Sequence, residues 1–314
     1  MMTGPYILTG ALLLDLLAGE APNRFHPVAW LGKFISLQLR LVPTVGKVRQ
    51  FICGMAIVIL TVVIITVPLF LLKFHWEATA GAAATIAYIL FSIYLLKNTF
   101  SLRGLWRAVQ KVKLSLAAGD LDKARRHSNS LVSRGTGDLS REQVISAAIE
   151  SCAENLCDSF VAPLFYFAIL GLPGAVAYRI VNTFDAMIGY HGKWEYTGKF
   201  AARLDDALNF IPARLSGLLI TLASAIRGGD FAGSWRTMFS RHGGTESPNA
   251  GWTISAMAGS LGITLEKPGA YSLNGGGKEL TLEAITRSQQ IVLTAAGAWA
   301  VTIAGMEVVI GFAA

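Results

Sequence analysis

Residues Phe51 to Leu72 run without a single charged side chain. Coiled as a helix at 1.5 Å per residue, a run of that length reaches about 30 Å, the thickness of a bilayer's hydrocarbon core. Ile291 to Phe312 is a second apolar run of comparable length near the other end of the chain. Two such segments dictate an integral membrane protein, and composition agrees. Hydrophobic residues make up 53% and charged residues 15%, against about 25% charged in a typical soluble domain. The expected fold class is therefore all-α, a polytopic helical membrane protein.

Six apolar segments organise one membrane-embedded domain over 1–314, at about 7–18, 51–72, 78–96, 160–181, 207–226 and 291–312. The first is short for a full crossing and carries Asp15, so it reads as a tilted or interfacial helix. With no basic start and no small-residue cleavage site, it is expected to be an anchor rather than a removed signal. The short link between 51–72 and 78–96 predicts a helical hairpin. Gly171-Leu-Pro-Gly174 interrupts 160–181 and predicts a broken or re-entrant segment, tolerated where freed backbone is buried or lines a cavity. The polar stretches are 19–50, 97–159, 182–206 and 227–290. The stretch from Lys97 to Arg141 is strongly basic, which places it in the cytoplasm with amphipathic helices of its own. Residues 227–290 read as loop with short helices. A net charge of +7 suits an anionic membrane face. No basic platform with interleaved aromatics points to nucleic acid, and Cys53, Cys152 and Cys157 form neither a disulfide framework nor a zinc pattern.

Chemistry-bearing residues gather at the segment ends. Ser140 followed by Gln143 is a capping-box start, opening a helix on which Glu150, Glu154 and Asp158 fall at i, i+4 and i+8. Val144, Ile145, Ala148, Ile149, Cys152 and Leu156 form the other face. Two readings are open. The stripe could be a solvated acidic face, or it could hold a hard divalent cation, which prefers oxygen ligands and bridges to phosphates. Like charges at this spacing destabilise a helix by roughly 0.2–0.5 kcal/mol per pair, and no basic residue is interleaved. His26 precedes Pro27 and is thereby held extended, presenting its ring among Asn23, Arg24 and Trp30. Asn182/Asp185 and Asp205/Asn209 repeat the helical pairing of oxygen ligands. Arg214 lies inside an apolar stretch, where a charged residue is a functional candidate or snorkels to the interface.

Five polar stretches, in this order, resemble one family, the membrane-bound CobD/CbiB proteins of cobalamin biosynthesis. They are Asn23-Arg-Phe-His-Pro-Val28 with Trp30 and Gly32; Glu150-Ser-Cys-Ala-Glu-Asn-Leu-Cys-Asp158 with Ala162-Pro-Leu-Phe-Tyr166; Tyr178-Arg179 with Asn182-Thr-Phe-Asp-Ala-Met-Ile-Gly-Tyr190; Asp205-Asp206 with Asn209 and Ile211-Pro-Ala-Arg-Leu215; and Ser247-Pro-Asn-Ala-Gly251. The chain departs from the family pattern at Arg134-Gly135-Thr136, where Arg-Asp-Thr is usual, and at Gly19-Glu-Ala-Pro22, where Gly-Asp-Pro is usual.

The resemblance implies an adenosylcobinamide-phosphate synthase, an ATP-dependent ligase joining adenosylcobyric acid to aminopropanol phosphate. It implies Mg²⁺, with Glu154, Asn155, Asp158, Asp185 and Asp205 as ligands and ATP as co-substrate. Arg134, Thr136, Arg179, Asn182, Arg214, Ser247 and Asn249 would bind phosphate or carboxylate. His26, Glu150, Glu154 and Asp185 would be catalytic. The expected setting is the cell membrane, with cytoplasmic active-site loops, no nucleic acid, and other enzymes of the same biosynthesis as membrane neighbours. Two other classes compete. A Mg²⁺-dependent prenyl-diphosphate transferase would also use paired acidic motifs. A transporter would place its polar residues at mid-membrane on broken helices.

Overall fold

The computed structural model describes residues 3–79, 81–131, 136–190 and 192–313. Among them, five helical stretches are long and apolar enough to cross a membrane: Lys47–Trp76, Ala82–Ala117, Arg141–Ile188, Lys199–Ile226 and Leu282–Gly311. The protein is a polytopic all-α membrane protein. Its backbone forms two compact units, each assembled from separated stretches of chain.

The first unit takes residues 1–101, 162–208 and 302–314. It contains α1 (Gly4–Leu17), α2 (Pro27–Gln38), α3 (Lys47–Thr79), α4 (Ala82–Lys97) and α8 (Ala162–Ile188), with the start of α9 (Lys199–Ile226) and the end of α12 (Leu282–Ala313). Leu31, Ile35, Val58, Ile180, Val181, Phe184, Ile188 and Ala201 make its core. These come from α2, α3, α8 and α9, so α8 is the helix the others pack on. Trp76 of α3 stacks on Tyr88 of α4, centroids 5.5 Å apart, while α3 lies chiefly against α8 and α4 against α1. Lys97 at the end of α4 is buried with Asp15 of α1, 3.3 Å apart, so an ion pair joins the two helices. The break expected in α8 is present. Gly171 has φ 68° and ψ −160°, a conformation that only glycine adopts without strain, and Pro173 follows it.

The second unit takes residues 102–161 and 209–301. Its elements are α5 (Leu102–Ala117), α6 (Leu121–Ser128), α7 (Arg141–Leu156), a π turn at Cys157–Val161, the rest of α9, α10 (Phe231–Arg241), α11 (Ala250–Leu261), β1 (Thr264–Lys267), β2 (Tyr271–Asn274) and most of α12. Leu105, Val109, Val112 and Leu116 are buried on one side of α5, the i, i+4, i+7, i+11 spacing of an amphipathic helix. The capping box at Ser140 is formed in both directions. The stretch 227–290 holds more than loop and short helices. β1 and β2 pair antiparallel with Leu265 opposite Leu273, and burying both leucines seats the hairpin against α7 and α11.

Candidate functional site

In the first unit, the chain from Gly19 to His26 is tied onto the end of α4. Lys97 is 2% exposed, and its Nζ lies 2.9 Å from Glu20 Oε1. The Ser101 hydroxyl donates to the same oxygen at 2.6 Å, and the Tyr94 hydroxyl donates to the Phe25 carbonyl. Burial works to raise the Glu20 pKa, but hydrogen bonds from His26, Lys97 and Ser101 outweigh it and hold the carboxyl down at about 2. His26 has the expected extended backbone, φ −83° and ψ 115°, and caps α2. Its Nδ1 accepts from the Val28 amide at 3.2 Å, which fixes the proton on Nε2, facing Glu20 at 3.0 Å. Both ring nitrogens of His26 are thereby engaged. Sequence reasoning missed Glu20, Tyr94, Lys97 and Ser101 as partners of this loop. The legible signal was a pair of opposite charges, Asp15 and Lys97, in apolar surroundings.

Further along the same unit, three polar side chains link α8 to α9. Arg179 donates to Asn182 Oδ1 at 3.2 Å, and Asn182 Nδ2 donates to Asp205 Oδ1 at 3.3 Å. Asp205 is buried. Tyr178 is buried beside this chain and stacks on Tyr166, with centroids 5.4 Å apart. Asp185 sits one turn further along α8, where the Gly189 amide donates to its carbonyl at 2.7 Å. A β-carbon at Gly189 would lie 2.0 Å from Asp185 Oδ1, so only glycine leaves that carboxylate its place. Arg179 also lines a cavity of about 410 Å³ whose other walls include Trp30, Leu31, Phe34, Ile64 and Asn98.

The second unit holds the remaining candidates. Glu150 does not face water: it is 5% exposed. Its carboxylate accepts from Ser146 at 2.7 Å and from the Tyr271 hydroxyl at 2.5 Å, tying α7 to β2. Glu154, Asn155 and Asp158 are half-buried. Asp158 is the second residue of the π turn, where the regular helix of α7 ends. Asn155 donates to the Ser151 carbonyl at 3.0 Å and accepts from Ser159 at 3.2 Å. Arg214 is packed between two rings, its guanidinium carbon 3.6 Å from the Phe210 centroid and 4.7 Å from that of Trp252. Its Nη1 donates to the Phe210 carbonyl at 2.6 Å. Because Trp252 is in the first turn of α11, this brings Arg214 to the helix start formed by Ser247 and Asn249. There the Asn249 amide donates to Ser247 Oγ at 3.2 Å. Thr136 is buried, its hydroxyl 2.6 Å from the Arg125 carbonyl oxygen and from the Asn129 side chain. Arg134 and Gly135 lie outside the described residues.

Among the described residues, no three His, Cys, Asp or Glu side chains gather closely enough to form a ready-made metal cage. Mg²⁺ does not require one. It is commonly held by one or two carboxylates together with substrate phosphates. Carboxylates of the kind that mode uses are Asp185 and Asp205 in one unit and Glu154 and Asp158 in the other.

The CobD/CbiB protein family model matches residues 8–298. The chain belongs to the CobD/CbiB family. A protein of Dehalococcoides mccartyi named Cobalamin biosynthesis protein CobD is 45% identical over 296 residues, covering 94% of this chain and 95% of the relative. Probable cobalamin biosynthesis protein CobD of Methanothermobacter thermautotrophicus is 42% identical over 268 residues, 85% of this chain and 86% of the relative. The protein of the same name from Methanocaldococcus jannaschii is 36% identical over 279 residues, 88% of this chain and 90% of the relative. No solved structure matches. The family motifs fall in both compact units, Arg179, Asn182 and Asp205 in the first and Arg214, Ser247 and Asn249 in the second.

Proposed function

We propose that this protein serves in cobalamin biosynthesis as an adenosylcobinamide-phosphate synthase. It joins the free propionate of adenosylcobyric acid to the amine of aminopropanol phosphate at the expense of ATP. Family membership across nearly the whole chain carries this reading, and the side-chain chemistry supports it.

A carboxylate is a poor acyl donor, because its leaving group would be an oxide ion. ATP transfers its γ-phosphoryl group to the propionate oxygen, giving an acyl phosphate and ADP. The amine then attacks the acyl carbon, the C–N bond forms, and phosphate leaves with the oxygen that bridged it; the amine's proton passes to solvent. Mg²⁺, when bound through Asp185, Asp205, Glu154 or Asp158, supplies charge neutralisation for the phosphates.

This chain's own residues do the rest. Arg214, held by the Phe210 and Trp252 rings and by the Phe210 carbonyl, would turn its remaining N–H groups to a phosphate or carboxylate, which a guanidinium can meet through two oxygens at once. Arg179 is held by Asn182 for the same task. His26 fixes the loop Gly19–His26 beside α2. In this reading the setting is the cell membrane with the polar loops on the cytoplasmic side.

The test is direct. Detergent-purified protein is given adenosylcobyric acid, aminopropanol phosphate and ATP, and the product is weighed by mass spectrometry. Adenosylcobinamide phosphate formed only with all three is the expected result. No amide product, with turnover of an isoprenyl diphosphate instead, would overturn the proposal.

A further inference from the structure

Helix α10 is built inside out for a helix in water. Its buried side carries Ser234, Thr237 and Met238, with the Ser234 hydroxyl donating to the Ala256 carbonyl of α11 at 2.8 Å. Its outward side carries Phe231, Trp235 and Phe239, exposed by 43%, 46% and 47%. These three fall at i, i+4 and i+8 and form one continuous aromatic ladder, with centroids 6.4 Å apart for the first pair and 4.8 Å for the second. Arg236 and Arg241 are exposed on the same helix. A water-facing helix normally places its small polar residues outward and its rings inward.

Two observations decide what covers this face. The membrane-crossing helix α9 ends at Ile226, only five residues before Phe231, so α10 starts at the edge of the hydrocarbon layer. At 11 residues it is far too short to cross the membrane, since a span needs about 20. A short helix with aromatic rings beside arginines is the composition of one lying in the membrane interface, rings at the acyl boundary and cations among the headgroups.

We propose that the outward face of α10 lies in the headgroup layer of the bilayer, with Phe231, Trp235 and Phe239 at the acyl boundary and Arg236 and Arg241 on lipid phosphates. This assignment does not depend on the reaction proposed above. It does bear on Arg214, because Phe239 meets Trp252 edge-on at 5.6 Å and Trp252 packs against the Arg214 guanidinium. An anchored α10 therefore sets the height of Arg214 relative to the membrane surface.

Fluorescence of the full-length protein in lipid nanodiscs tests this. Subtracting the emission of Trp235→Phe from that of wild type isolates Trp235, and the replacement keeps an aromatic ring so that folding is preserved. With lipids brominated near the top of their acyl chains, the isolated emission should fall by about half or more, since interfacial helices sit 5–10 Å into that boundary. Acrylamide in the aqueous phase should quench it little. Isolated emission untouched by brominated lipid overturns the proposal in either of two ways. If acrylamide quenches it, the face is in water. If acrylamide does not, and each disc holds two copies by mass, a second copy covers it.

Discussion

Replacing Lys97 by Met strips the positive charge from a buried cluster while keeping most of the side-chain volume. Lys97 and Asp15 are each 2% exposed and stand 3.3 Å apart. Glu20, 2.9 Å from the same ammonium, keeps 37% of its side chain exposed. Glu20 can therefore turn to water and to His26, but Asp15 cannot. Removing one partner of a buried pair costs about 3–5 kcal/mol, because the remaining charge is left without compensation. For a chain of this size each kcal/mol moves the melting temperature by about 2 °C, so Lys97→Met should melt about 6–10 °C below wild type. The repair is specific. Adding Asp15→Leu to Lys97→Met removes the orphaned charge and should recover about half of that loss, a coupling of the size found for residues in contact. Thermal melts of the detergent-solubilised protein followed by tryptophan emission provide the assay. A Lys97→Met melt within about 1 °C of wild type, or a double variant no better than the single one, would refute the claim that this pair joins α1 to α4.

Three further outcomes follow from the geometry. Because the folded Glu20 carboxyl titrates near pH 2 against 4.5 unperturbed, its contribution is present in full above pH 4.5 and is lost as pH falls from there toward 2. Proteolysis of the Gly19–His26 loop should rise over that window, and Glu20→Gln should abolish the pH dependence. Glu150→Ala should destabilise by about 1–3 kcal/mol by removing the buried acceptor of the Ser146 and Tyr271 hydroxyls, whereas Glu154→Gln should leave the melt unchanged and abolish amide formation, read by denaturation and product mass respectively. Arg214→Lys, which loses both ring stacking and the bidentate edge, should raise KM for the phosphate-bearing substrate about tenfold or more with the melt little changed.

Local rules read well wherever the deciding partner is close in sequence. The capping box at Ser140, the extended backbone of His26 before Pro27, and the break at Gly171-Leu-Pro-Gly174 each depend on residues within a turn or so, and each is present as expected. The apolar runs at 51–72 and 291–312 likewise declared their helices through composition alone. Glu150 was the opposite case. Its spacing put it on an acidic stripe, yet its environment is set by Tyr271, a residue 121 positions away. No periodicity in α7 reports that hairpin. The hairpin itself was hidden because the four-residue strands Thr-Leu-Glu-Lys and Tyr-Ser-Leu-Asn, with one leucine each, carry too little apolar alternation to stand out. Lys97 was read as one more cation in a basic stretch, since only the fold brings it to Asp15. For the site, the motif residues were legible as a set. Which of them bond one another, as Arg179, Asn182 and Asp205 do, needed coordinates.

The hydrogen bonds from Ser146 and Tyr271 to Glu150 carry a consequence for how this protein is made. When α7 leaves the ribosome, Ser146 is already there to bond the carboxylate, but the Tyr271 hydroxyl emerges only some 120 residues later. Until then one of the two donors is missing, which makes an apolar setting more costly for α7 than it is in the finished fold. Assembly of the second unit is thereby deferred to the end of synthesis, when residues 209–301 arrive.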